Sequence, residues 1–277
     1  MALSFVYPSL RRDEGQTGGL AVKHHPALFR HHTRTGEVMS TTVTARELAD
    51  RGSEVIATAR SQGSTAEELA RLALTWAADE FGASLAVLSS MGDEVLVHLA
   101  SDAVPGIDVV FIDTGYHFAE TLGTRDAFAA TRPLNLINVS PVQTVAEQDA
   151  EYGPALHDRD PNLCCSLRKV EPLNRALEGY RAWVSGMRRE DAPTRADIGL
   201  IEYDAKRDKV KLNPLAEWTS EQVDAYARDH GVLMNPLRQL GYASIGCKPC
   251  TRPVAEGEDP RAGRWSGSDK TECGLHT

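Results

Sequence analysis

Ser84-Leu85-Ala86-Val87-Leu88-Ser89-Ser90-Met91-Gly92-Asp93 is the stretch that decides the fold. Its apolar run, bounded by Gly82 and Ser89-Ser90, is too short for a helix and does not alternate, so it predicts a strand buried on both faces. The small polar turn after it leads into a helical pattern from Asp93 to Ala100. Upstream, Thr44-Ala45-Arg46-Glu47 and Ser64-Thr65-Ala66-Glu67 fit capping boxes. The second of these opens a helix carrying Leu69, Leu72, Leu74 and Trp76 that stops near Gly82. Downstream come a strand at Ile107–Ile112, a helix from about Phe118 to Ala129 and a strand at Leu134–Val139. Strands alternating with helices imply an α/β fold, a mostly parallel sheet flanked by helices.

Beyond residue 145 the pattern loosens. Helical segments surround Cys164-Cys165 and run to about Tyr180, and Ala182–Gly186 reads as another strand. Residues Ile198 to Val210 suggest a strand pair around Asp204–Asp208, and Thr219-Ser220-Glu221-Gln222 opens a helix ending at Gly231. The last 30 residues are rich in Gly, Pro, Arg and Cys and read as loop.

Residues 1–38 show no sustained period and contain a histidine run from His24 to His32; we expect a disordered extension, with Met39-Ser40 as the natural start of the protein. Residues 39–277 then form a single domain whose segment from about 251 to 277 is expected to be mobile. The 277 residues are 42% hydrophobic and 25% charged, an ordinary globular balance, and no apolar run reaches membrane-span length. A formal net charge of −9 argues against a general nucleic-acid binder. An anionic substrate would therefore need its own local cations.

The five cysteines are informative through their placement. An odd number in a long chain argues against a secreted disulfide framework and for a reducing compartment, so the expected location is cytoplasmic. Cys247-Lys248-Pro249-Cys250 is a CxxC in a loop, and Cys164-Cys165 is an adjacent pair. Neighbouring side chains on a helix diverge by about 100°, so joint ligation by the pair needs an adjusted turn. Four thiolates suit a tetrahedral zinc or an iron–sulfur cluster, and spacing alone leaves both open. Cys273 remains, near the C-terminus in Glu272-Cys273-Gly274-Leu275-His276. A mobile thiol there suits a nucleophile, with an idle tail cysteine as the plain alternative.

Two further constellations complete the picture. Arg261 and Arg264 flank Gly263, Arg188 follows Gly186 with Arg195 close behind, and Lys169 lies just after the cysteine pair; each is a candidate anion contact. Ser89 and Ser90 open the turn after the first strand, and Asp113, Thr114 and Gly115 follow the second. Ligands of open α/β sheets bind at such strand ends. Asp113 is equally a helix cap, and His117 a surface residue.

Taken together, these motifs resemble the assimilatory adenylyl-sulfate reductases, over about residues 44–277. The resemblance lies in Cys164-Cys165-Ser166-Leu167-Arg168-Lys169-Val170-Glu171-Pro172-Leu173, Cys247-Lys248-Pro249-Cys250, Arg261-Ala262-Gly263-Arg264-Trp265 and Glu272-Cys273-Gly274-Leu275-His276, in that order. It implies an adenine-nucleotide α-hydrolase-like fold with a modified phosphate loop at Ser89–Asp93, although that loop departs from the glycine-richer forms. It also implies a 4Fe–4S cluster on Cys164, Cys165, Cys247 and Cys250. Reduced thioredoxin is the implied partner and adenosine 5′-phosphosulfate the implied substrate, with reductases of the 3′-phosphorylated nucleotide or a dual-substrate enzyme as the nearest alternative. An ATP-using sulfur-transfer enzyme of the same fold is a more distant one. The implied roles are Cys273 as nucleophile, His276 as its assistant, and Lys169, Arg261 and Arg264 as the phosphosulfate grip, with Arg188 and Arg195 as further cations. The oligomeric state is left open.

Overall fold

Six strands form one sheet in the computed structural model, which describes residues 43–268, 270, 272, 274 and 275. The expectations for residues 1–38, for a start at Met39 and for the placement of Cys273 and His276 lie outside those residues. In chain order the elements are α1 (Ala45–Ser61), α2 (Ala66–Phe81), β1 (Leu85–Leu88), α3 (Glu94–Ala103), β2 (Ile107–Ile112), α4 (Ala119–Thr131) and β3 (Leu134–Val139). Then follow α5 (Val145–Tyr152), α6 (Leu156–Arg159), α7 (Pro161–Cys165), α8 (Glu171–Leu177), β4 (Ala182–Val184), β5 (Ile201–Asp204), β6 (Lys209–Leu212) and α9 (Ser220–Asp229). The sheet order is β3-β2-β1-β4-β6-β5, parallel throughout except for the antiparallel β5–β6 pair at one edge.

That order contains the feature that positions the site. From β1 the chain builds outward through β2 to β3, then returns to place β4 on the other side of β1. The connections after β1 and β4 therefore diverge, leaving a crevice at their carboxyl ends. Alternation within the strands explains why both sheet faces are covered. Val87, Val109 and Phe111 join a large core with Leu74, Leu96 and Leu99, whereas Ala86, Leu88, Val110 and Trp183 pack with Leu173 and Leu177 of α8.

Two local readings are corrected. The box opening α2 sits one residue later than expected: the Glu68 amide donates to Thr65 Oγ1, and the Thr65 amide donates back to Glu68 at 2.7 Å. The C-terminal stretch contains a short 3-10 turn at Lys248–Cys250 and an isolated antiparallel bridge between Thr251 and Arg264. Among the described residues, no helix is long and apolar enough to cross a membrane.

Candidate active site

The crevice is a cavity of about 420 Å³ at the ends of β1 and β4. One wall of it is the turn Ser89–Asp93. The Met91 amide donates to Ser89 Oγ at 3.0 Å, and Ser89 Oγ donates to the Asp93 carboxylate at 2.5 Å, closing the loop on itself. Met91 takes a left-handed backbone with φ of 55° while its side chain is fully buried. A non-glycine residue held in that region is strained and must be held by its surroundings. Asn235, itself fully buried, does this by donating to the Met91 carbonyl and to Thr121 Oγ1, both at 3.1 Å. Behind it, buried Glu94 accepts from the Asn235 amide at 2.8 Å and from Arg238 at 3.0 Å, and Arg238 also donates to the Gly92 carbonyl. Sequence reading missed this support because its bonds join residues 114 to 146 positions apart.

The structure brings Ser89, Ser90, Thr114, Lys169, Arg188, Arg195, Arg261 and Arg264 to this one cavity. It does not bring Asp113 and Gly115 to it. Asp113 accepts from the Gly115 amide at 3.0 Å and faces Arg125 at 3.8 Å, so it shapes the turn after β2. Gly115 has φ of +73°, and a Cβ there would meet Arg168 Nη2 and Val145 at 3.1 Å, so its role lies in backbone shape. The switch between β1 and β4 explains the difference. It places Ser185, Gly186 and Met187 at the centre of the cavity and leaves much of the β2 turn behind it.

His117, expected at the surface, lines the same cavity. Its Nε2 lies 2.9 Å from the Ile112 carbonyl, which can only accept, so Nε2 carries the proton and Nδ1 is a bare acceptor. Burial holds the imidazole below the usual histidine range, with the Ile112 carbonyl opposing.

The cations are not bare charges. Arg188 pairs with Asp191 at 2.7 Å and reaches Ser220 Oγ at 3.3 Å. Arg195 bonds Asp191 and, through a two-point fork, Glu272 at 2.8 and 2.9 Å. Arg261 reaches the same Glu272 carboxylate at 3.1 Å. Arg264 donates to Ser244 Oγ at 3.1 Å and stacks on the Trp265 ring at 4.5 Å. Its guanidinium lies so close over Gly246 that any Cβ there would overlap it.

A second, smaller cavity adjoins the first. Cys164, Cys165, Cys247 and Cys250 all line it, with Arg168, Lys169, Tyr116 and His157 around them. The adjacent pair reaches one cavity because the helix changes pitch: a π-helical turn at Ser166–Val170 separates α7 from α8. That turn also carries Arg168 and Lys169. Arg168 is buried, donates to the Thr114 and Gln143 carbonyls, and reaches Gln148 at 3.2 Å. Thr114 Oγ1 lies 3.2 Å from Cys247 Sγ. As bare thiols the group resists ionisation: burial, then the neighbouring cysteines, pushes Cys164 up to about 12, and burial pushes Cys250 up to about 11. Among the described residues, no group of three or more His, Cys, Asp or Glu side chains is arranged to hold a single metal ion.

Lys169 and Cys247 line both cavities, so the two sites share a wall. The phosphoadenosine phosphosulfate reductase domain model matches residues 84–253, which span β1, β4 and all four of these cysteines. The chain belongs to that family. A relative from Streptomyces coelicolor named adenosine 5′-phosphosulfate reductase is 62% identical over 203 residues, covering 73% of this chain and 86% of its own. One of the same name from Mycolicibacterium smegmatis is 52% identical, covering 87% and 99%. A crystal structure of phosphoadenylyl-sulfate reductase from Candida auris, a phosphate complex, is 28% identical with a TM-score of 0.60, covering 74% of this chain and 96% of that one.

Proposed function

We propose that this chain reduces adenosine 5′-phosphosulfate to sulfite and AMP. The observation that carries the reading is the shared wall: a nucleotide-sized cavity lined by cations meets a four-thiol cavity through Lys169 and Cys247. The names of relatives at 52–62% identity support the same substrate. Cys273 is the nucleophile. Its thiolate attacks the sulfur of the phosphosulfate, the S–O bond to the phosphate breaks, and AMP leaves with that electron pair. The sulfo group stays on Cys273 as S-sulfocysteine. A thiolate of reduced thioredoxin attacks the Cys273 sulfur, sulfite leaves with the S–S electron pair, and the second thioredoxin thiol resolves the mixed disulfide. Lys169, Arg261 and Arg264 hold the oxyanion charge through both displacements, and His276 assists at the substrate or the thiol. The Ser89–Asp93 turn seats the nucleotide phosphate against backbone N–H groups at the start of α3.

The donor set fits a 4Fe–4S cluster, since four soft thiolates border one cavity and Arg168 and Lys169 supply compensating charge beside them. Cys164, Cys165, Cys247 and Cys250 would hold it, and it would supply structural tethering and a fixed field at Lys169. Iron and acid-labile sulfide analysis of anaerobically purified protein should give four of each per chain. Zinc in their place would remove this part of the reading.

The decisive experiment is mass spectrometry after incubation with adenosine 5′-phosphosulfate in the absence of thioredoxin. An adduct of sulfite mass on Cys273 is expected; turnover without that adduct overturns the mechanism. Because the matched family and the Candida auris structure carry the name of the 3′-phosphorylated nucleotide, kinetics with both nucleotides belong in the same experiment.

A further inference from the structure

Glu272 directly precedes Cys273 in the chain, and its carboxylate lies in the main cavity. Arg195 grips it through Nε and Nη2, Arg261 adds a third donor, and Thr194 Oγ1 stands 3.4 Å away. The contact is largely withdrawn from water: the side chains of Arg195, Glu272 and Arg261 are 9%, 15% and 17% exposed. A planar anion held by two converging guanidiniums is the geometry with which arginines recognise carboxylates, sulfates and phosphates alike. Two cations read from the sequence as anion ligands thus already hold an anion, and it belongs to the segment that carries the nucleophile.

The electrostatics of the fork make that occupancy consequential. Arg195, Arg261 and the neighbouring Arg264 act on one another as like charges, balanced by Glu272 and Asp191. Among the described residues at the fork, withdrawing Glu272 leaves Arg195, Arg261 and Arg264 facing Asp191, and an incoming dianion meets that positive excess. The segment has other anchors. Lys270 donates to Asn162 at 2.5 Å, and Leu275 packs on the cluster around Leu88 and Trp183 while its carbonyl accepts from Arg207 at 3.1 Å. Glu272 can therefore leave its seat without the whole segment being released.

We propose that Glu272 is an exchangeable placeholder: it fills the Arg195–Arg261 fork until a sulfate- or phosphate-type oxyanion takes the same seat. Filling the site and unseating the residue beside Cys273 are then one event. The reaction proposed above names the natural oxyanion; the exchange itself rests only on the fork. Glu272 acts as a positioning residue, because it competes for the substrate's ligands and need not touch the reacting atoms. An internal competitor lowers apparent affinity by the fraction of molecules in which the seat is free.

The test is calorimetric titration of inorganic sulfate into the full-length, anaerobically purified protein in low-chloride buffer. Glu272→Gln should bind sulfate at least about fivefold more tightly than the parent. Glu272→Asp, which keeps the charge on a shorter arm, should fall between them. Sulfate affinity equal to or weaker than the parent's in either folded variant overturns the proposal, and the Asp variant decides alone if the Gln variant fails to fold. In turnover, Glu272→Gln should lower KM for adenosine 5′-phosphosulfate by a similar factor, whereas a merely structural role would leave KM unchanged or raise it. Tighter sulfate binding in a chain that leaves adenosine 5′-phosphosulfate intact would support the exchange while removing the proposed reaction.

Discussion

The turn Ser89–Asp93 and the loop from Ser244 to Leu275 face each other across one cavity, yet they are built on different terms. The turn hangs between a fully buried strand and a helix, and its strain is carried by Asn235, Glu94 and Arg238 behind it. Among its described residues the loop has one isolated bridge, a short 3-10 turn and a series of charged contacts: Arg252 with Glu258, Arg261 with Glu272, and Lys270 with Asn162. A buried strand and a buried polar network fix the first wall. The second buries Ile245 and Trp265 but is otherwise held by ionic and backbone contacts that cost less to break and make again. A reaction that binds a nucleotide and then hands a group to a partner protein can use both: a wall that stays and a wall that exchanges.

The sharpest break between the two is Cys273→Ser, next in the chain to Glu272. Sulfite formation should fall by about 1,000-fold or more, with AMP affinity kept within about twofold, because a hydroxyl in place of the thiolate removes the proposed nucleophile and leaves the described cavity lining. A variant that keeps substantial sulfite release, measured with excess reduced thioredoxin, would remove Cys273 from the mechanism.

On the sheet side the corresponding change is Trp183→Ala. Trp183 is fully buried on β4, its Nε1 donates to Asp204 at 3.1 Å, and the guanidinium of Arg207 stands over its ring at 5.5 Å. Emptying that volume should cost about 3–5 kcal/mol of stability, read from denaturant midpoints. A loss of less than about 1 kcal/mol would mean that this core collapses to fill the space.

Lys169 tests the shared boundary. Lys169→Ala should lower kcat/KM by about 10- to 100-fold, the range of a lost charge-assisted hydrogen bond. The effect should fall on kcat if the lysine meets the developing charge, and on KM if it grips the ground state. The iron of the proposed cluster should be retained, since all four thiols remain.

The contrast also explains what could be read from the sequence. Strands β2 and β3 fall at the expected residues because apolar-rich stretches, broken only by Asp108 in β2 and by Asn135 and Asn138 in β3, lie between turn residues that mark their boundaries. Cys164, Cys165, Cys247, Cys250 and the arginines could be picked out by residue type, and the structure brings them to adjoining cavities. Strand order was not, because nothing local to Ala182–Val184 says that it lies beside β1. That single long-range fact shifts the cavity from the Asp113–Gly115 turn toward Ser185–Met187. The Glu94–Arg238–Asn235 support and the Glu272 fork were hidden for the same reason: each joins residues that only tertiary folding brings together. The π turn after Cys165 is intermediate. Adjacent cysteines require an adjusted helix, which points to a distortion there, but its kind has to be seen.

Asp93 marks the smallest expected effect and the finest test of the rigid wall. Burial pushes its carboxyl up to about 6; Glu94 beside it adds to the rise, and the Ser89 hydroxyl and Arg238 oppose it. A carboxyl raised in the folded state favours folding when protonated and opposes it when ionised. The penalty is absent below about pH 4, grows between about pH 4 and 6, and is complete above that. Asp93→Asn keeps an acceptor for Ser89 and removes the charge. The variant should therefore match the parent near pH 4 and exceed it near pH 7.5 by about 1–2 kcal/mol, after allowance for the side chain's partial contact with the cavity. Parallel stability curves for the two proteins from pH 4 to 8 would show that this wall does not hold a buried acid. A gain at high pH accompanied by weaker AMP binding would mean that the turn keeps an unfavourable charge because the nucleotide needs it there.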